Sequence, residues 1–148
     1  MRITAKVDYA VRAVVELAAH AEREGPDRPM KRDAVALAQA IPNRFLEAIL
    51  SELRRAGIVT SQRGSDGGYW LARPAGSVTV ADVIRAVEGP LADVHGAPPE
   101  AASYPGAAAA LQEVWVATRV ALREVLEATT MADIAAGALP SGVQALAR

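Results

Sequence analysis

The chain has no cysteine, which removes disulfides, thiolate metal sites and thiol nucleophiles from consideration and leaves the redox compartment open. Aromatic residues are scarce at 4%, with one phenylalanine, although hydrophobic residues reach 51%. Alanine therefore supplies much of the apolar content, favouring helices over sheets and disfavouring an all-β fold. Every apolar run is cut by Pro, Gly or a charge before membrane-spanning length, and the opening MRITAKVDYA is charged where a signal peptide needs an apolar stretch. A cytoplasmic protein with no membrane partner is expected. At 148 residues the chain suits one compact unit with an appendage.

A surplus of charge is also lacking: the formal net charge is −1, which by itself gives no sign of nucleic acid. The average conceals an asymmetry. Residues 1–75 carry 12 Lys+Arg against 9 Asp+Glu, and residues 76–148 carry 4 against 8. An anionic partner is expected on the first half.

Val7, Val11, Val14, Ala18 and Ala21 recur at helical spacing behind the capping hydroxyl of Thr4, predicting a helix from Thr4 to Glu22. EGPDRP then makes a loop. A short helix over Arg32–Ala40, burying Val35 with Leu37 or Ala38, is linked through Ile41, Pro42 and Asn43 to a longer amphipathic one. The buried stripe expected there is Phe45, Leu46, Ile49, Leu50 and Leu53; Arg44, Glu47, Ala48, Ser51, Arg54 and Arg55 face outward, and Gly57 ends the helix. Two helices across a short turn, the second amphipathic, spell helix-turn-helix.

IVTSQR, GSDGG and YWLAR follow, predicting a β-hairpin that serves as a wing. Thr79 and Asp82 resemble a capping box opening a helix to Glu88, stopped by Gly89 and Pro90. Residues 90–106 hold four of the nine prolines and are expected to lack regular structure. A helix from Ala107 to Ala128 comes next, about 33 Å long at about 1.5 Å per residue. Its residues Leu111, Trp115, Thr118, Leu122, Val125 and Thr129 form a heptad-like seam suited to dimerisation. The tail beyond Gly137 is expected to fray.

The second helix of a helix-turn-helix enters the major groove, where residues near its N-terminus read base edges. Here these are Asn43, Arg44, Glu47 and Ala48. Arg bonds guanine bidentately, Asn pairs with adenine and Glu accepts from cytosine, so Arg44 is the leading base contact. The glycines of RGSDGG let the hairpin tip approach a sugar-phosphate surface, with Arg63 and Gly64 beside it. Asp66 is unfavourable near phosphate, so the tip itself is expected to project past the backbone. Arg2, Thr4 and Lys6 open the first helix, where backbone N–H groups suit a phosphate as readily as they suit simple capping. Arg54 and Arg55 serve the helix dipole as well as they would a phosphate.

Catalytic residues do not assemble: His20 and His95 stand apart from any nucleophile or ligand set. No enzyme and no metal site is expected.

MRITAKVDYAVRAVVELA, FLEAILSELRRAGIVTSQRGSDGGYWLARP, VADVIRAVEG and TTMADI resemble the IscR/NsrR/CymR family of bacterial winged helix-turn-helix transcription regulators over about residues 1–134. The resemblance implies a mainly α fold with a small β-hairpin and a homodimer with crossed long helices. Its DNA target would be a near-palindromic operator, with repression the usual outcome. It places Arg44, Glu47 and Ala48 on the base-reading helix and Arg63 and Gly64 on the wing. Many relatives bind an iron–sulphur cluster through three cysteines in the loop after Glu88; this chain has Asp93 and His95 there, and Asp8 where some relatives offer a carboxylate ligand. Cluster iron is soft and wants thiolate, so no cofactor is expected.

The division that follows is a winged helix-turn-helix domain over 1–89, a loop at the family's sensor position over 90–106, a dimerisation helix with its following segment over 107–134, and a flexible tail over 135–148. The input is then a small-molecule effector, a partner protein or concentration alone. The alternative is a winged-helix interaction module or adaptor controlled by a partner enzyme.

Overall fold

The computed structural model describes residues 1–148. Helix α1, Ala5–Glu24, begins as its sequence dictates, with Val7 N–H donating to Thr4 Oγ1 at 3.2 Å. Its buried face is Val7, Ala10, Ala13, Val14, Leu17 and Ala18. Three alanines on that face let neighbouring elements approach closely, and α1 becomes the central post of the fold, packed against the three other helices of the winged helix and the second strand of its hairpin.

α2 (Arg32–Gln39) and α3 (Asn43–Arg55) form the helix-turn-helix. The turn closes through Ala40, which takes the left-handed conformation (φ 52°), and Ile41 N–H donates to Ala36 O at 2.9 Å. Leu46, Ile49, Leu50 and Leu53 are at most 2% exposed. Two predicted core residues are not core. Phe45 is 45% exposed, because the stripe of Leu46, Ile49, Leu50 and Leu53 fills the core-facing arc and leaves Phe45 at its edge. Leu37 is 86% exposed; Val35 and Ala36 take the inner face of α2 instead, and Leu37 and Ala38 turn outward.

β1 (Val59–Gln62) and β2 (Gly68–Leu71) pair antiparallel, Val59 opposite Leu71 and Gln62 opposite Gly68. Met30, which follows the EGPDRP loop, joins this ribbon as a third edge by exchanging both backbone hydrogen bonds with Tyr69 at 2.8 Å. That pairing explains Gly68, where a Cβ would lie 2.5 Å from Met30 O; the hairpin's own backbone explains Gly67, where one would lie 2.0 Å from Gln62 O. These two glycines permit close approach inside the protein rather than to an outside surface.

α4 (Val80–Glu88) has a complete capping box, in which Asp82 N–H donates to Thr79 Oγ1 at 3.1 Å and Thr79 N–H to Asp82 Oδ2 at 2.9 Å. Residues 90–106 are more structured than expected. Val94 and Ala97 bridge, Pro99–Ala101 makes a 3-10 turn, and Leu91 and Pro99 are buried. α5 spans Leu111–Leu126, shorter than the predicted helix, because Gly106–Ala108 turns in 3-10 fashion from a left-handed Gly106 (φ 54°). Its 16 residues reach about 24 Å at about 1.5 Å each.

After α5 the chain returns to the first domain. α6 (Met131–Ala136) is capped by a second Thr–Asp box, Thr130 with Asp133, and packs against α1 with Met131 fully buried. The two capped starts lie side by side: Val80 N–H donates to Thr129 O and Met131 N–H to Val78 O, both at 2.9 Å. The tail, expected to fray, forms a short helix α7, Ser141–Leu146, with no buried residue.

Candidate nucleic-acid interface

Asn43 and Arg44 occupy the first turn of α3 behind Pro42, and with Glu47 and Ala48 they are exposed while the opposite side of the helix is core. The fold therefore presents all four residues singled out for base reading on one solvent face. Arg44 does not wave free: its guanidinium lies 4.8 Å from the centroid of the Phe45 ring. Phe45 in turn packs at 6.1 Å against Tyr9 of α1, and Arg12 covers the Tyr9 ring at 4.9 Å. The exposed phenylalanine is thus a platform that orients the arginine. A groove of about 370 Å³ runs between the start of α1 and α3, with Lys6 and Tyr9 on one wall and Arg44, Phe45 and Ala48 on the other.

Glu47 stands 3.5 Å from Arg32 of α2, a loose pair at the surface that leaves the carboxylate largely solvated. Lys6 pairs with Glu52 at 2.9 Å, tying α1 to α3. Thr4 is doubly engaged, accepting from Val7 N–H and donating to Glu88 Oε1 at 2.8 Å. Its hydroxyl locks the start of α1 to the end of α4. Arg2 is exposed ahead of α1. Arg54 donates to Ser61 Oγ at 3.3 Å and so braces the end of α3 on the wing.

At the wing, Arg63 is exposed and Gly64 adopts φ 101°, a value that favours glycine. Lys31 is one of two residues the sequence reading missed: its Nζ donates to Gly64 O at 3.0 Å and to Ser65 O. It pins the wing turn to the start of α2. No local pattern marks it, because its partners lie 33 and 34 residues away. Arg12 was missed for the same reason; its Nη1 donates to Gln39 O at 2.7 Å at the end of α2.

The seam on α5 is divided between two hollows. Thr118, Leu122 and Val125 line an apolar groove of about 590 Å³ whose other wall includes Ile3, Val7 and Ile84. Leu111, Trp115 and Thr118 line a second hollow beside Tyr104 and His95, where Trp115 Nε1–H donates to Tyr104 Oη at 3.1 Å. No residue of α5 is buried, and Trp115 is 37% exposed.

Residues 3–137 match the family described as Rrf2, iron-dependent transcriptional regulator. The chain is 48% identical over 147 residues to the HTH-type transcriptional regulator Rv1287 of Mycobacterium tuberculosis, covering 99% of this chain and 89% of that one. It is 33% identical to the HTH-type transcriptional regulator CymR of Bacillus subtilis, over 91% of this chain and 90% of CymR. Among solved structures, CymR, the global cysteine regulator of B. subtilis, superposes with a TM-score of 0.75 at 32% identity, covering 92% of this chain and 97% of that one. T. potens IscR gives 0.72 at 30%, covering 93% and 88%.

The iron in the family's description does not fit the donors here. There is no thiolate, and no group of three or more His, Asp or Glu side chains stands close enough to hold an ion. Asp8 pairs with Arg12 at 3.0 Å, and Asp93 Oδ1 accepts Gly96 N–H at 2.8 Å. No helix is long and apolar enough to cross a membrane.

Proposed function

The chain belongs to the Rrf2 family of DNA-binding transcriptional regulators rather than to any class of enzyme, and from that premise we propose that it acts as a homodimeric repressor, free of an iron–sulphur cluster, on a near-palindromic operator. One observation carries the reading: Asn43, Arg44, Glu47 and Ala48 stand together on the open face of α3, beside a wing whose turn is fixed by Lys31. Arg44, oriented by Phe45, reads a guanine, and Arg63 and Gly64 follow the sugar-phosphate surface. Arg2, Thr4 and Lys6 form a weaker second contact at the start of α1, since the Lys6 ammonium is already shared with Glu52.

Dimerisation draws on α5. A 16-residue helix with no buried side chain gains too little from its own chain to account for its apolar stripe. A second copy laid along Leu111, Trp115, Thr118, Leu122 and Val125 covers that stripe and sets two α3 helices in successive major grooves, about 34 Å apart. An occupied operator at a promoter excludes polymerase by bulk alone, which makes repression the simplest outcome. Such a protein works in the cytoplasm.

The test is a titration of DNA from upstream of the chain's own coding sequence at several salt concentrations, paired with sedimentation of the free protein and run-off transcription. Sequence-selective, salt-sensitive binding by a two-chain species that lowers transcript is expected. Binding indifferent to sequence sinks the reading and favours an adaptor that docks a partner protein on its acidic second half.

A further inference from the structure

On α5, Arg119, Arg123 and Glu127 follow at intervals of four, so their side chains share one stripe of the helix and its C-terminal continuation. Arg85 meets this stripe from α4. Arg85 Nη2 donates to Glu127 Oε1 at 2.5 Å, and Arg123 Nε donates to the same oxygen at 2.9 Å. Arg119 forks onto both oxygens of Glu100. Between these groups and residues 90–98 opens a cavity of about 260 Å³, at the small end of ligand pockets. Its residues are separate from those of the apolar groove that receives Leu122 and Val125.

The charge in this cavity is out of keeping with its surroundings. Residues 76–148 are acidic and contain 4 Lys+Arg, yet three of the four, Arg85, Arg119 and Arg123, line this one space. The sole acidic residue on its lining is Asp93, whose Oδ1 accepts Gly96 N–H; Glu100 and Glu127, outside the lining, are the carboxylates that pair with the three arginines. Two guanidinium groups share a single Glu127 oxygen, and the buried Nε of Arg119 has no partner. Guanidinium forks match the oxygens of carboxylates and phosphates.

We propose that this cavity is a binding site for a small multivalent oxyanion, a di- or tricarboxylate or a phosphate ester. Its occupant bridges α4 of the winged helix to α5, with Glu100 as the internal carboxylate it competes against at Arg119. Control of operator affinity by that bridge rests on the DNA-binding reading above, so the decisive measurement contains no DNA.

The experiment is calorimetric titration of the full chain with inorganic phosphate and, separately, with citrate, at constant ionic strength set with chloride. Saturable binding of at least one anion is expected, and preference between them distinguishes a phosphate from a carboxylate ligand. Arg119→Gln with Arg123→Gln weakens it at least tenfold. Arg44→Ala with Arg63→Ala leaves it unchanged, which separates this site from the phosphate-seeking surface of α3 and the wing. Glu100→Gln, which keeps every arginine and removes the competitor, tightens it severalfold and serves if the double arginine variant does not fold. Absence of saturable binding overturns the proposal; so does binding that Arg44→Ala with Arg63→Ala abolishes, or that Glu100→Gln fails to strengthen.

Discussion

α3 and α5 are both amphipathic helices of this chain, and they differ in where their apolar sides end up. Leu46, Ile49, Leu50 and Leu53 of α3 are at most 2% exposed within one copy, whereas on α5 Leu111, Leu122, Val125 and Leu126 are no more than half-buried. The first helix is completed by its own fold, so its outer face is free for a ligand. The second is only half-covered by its own chain along Leu111, Leu122 and Val125, which is the ground for proposing that a second copy covers it. Helices of similar polarity pattern thus carry opposite messages, and only burial separates them.

Breaking the finished helix has the largest effect. Leu50→Ala leaves a cavity in a fully packed site and costs about 2–5 kcal/mol of stability, read by urea denaturation of both proteins at one fixed protein concentration. Leu122→Asp, on the unfinished helix, spares the secondary structure of the single copy but weakens self-association by about 2 kcal/mol or more. Sedimentation equilibrium measures it, and an unchanged dimer would reassign the seam.

Arg44→Ala leaves both buried stripes intact and costs about 1–3 kcal/mol of specific DNA affinity, with relaxed preference at one base pair. Equal losses on random DNA would make Arg44 a phosphate contact only. The smallest effect is a titration. Glu127 is held below its usual carboxylate range, chiefly by the hydrogen bond from Arg85 and then by that from Arg123. Because its folded value is the lower one, its contribution to stability is complete above the ordinary glutamate value of about 4.3 and is lost as pH falls from there through the depressed value. Carboxyl chemical shifts followed from pH 6 to about 2 check this, and Arg85→Gln should return the midpoint toward the ordinary value.

Much of this was legible in advance because it is local. Thr4 and Gly89 mark helix ends by side-chain and backbone chemistry confined to a few residues, as does the Thr79–Asp82 box. The wing was readable from its glycines, although the physical reason for Gly67 and Gly68 is the approach of Gln62 and Met30. Periodicity alone could not tell Phe45 from its core neighbours, since a residue at the edge of an apolar stripe keeps the spacing without the burial. Lys31 and Arg12 carry no signal in sequence, because the carbonyls they serve are brought to them only by the turn of the chain. The three-arginine cavity was hidden for the same reason: its members are spread from Arg85 to Arg123.

The paired threonine caps, Thr79 and Thr130, have a mechanical consequence. Everything between them, α4, the proline-rich stretch and α5, is a closed excursion whose two ends are fastened at one spot on the winged helix. A force applied along α5, whether by a second copy or by a bound ligand, cannot dissipate down a free chain end. It arrives at that fastening, beside the first turn of α4 and the buried Met131, and from there at α1, the post on which α3 stands.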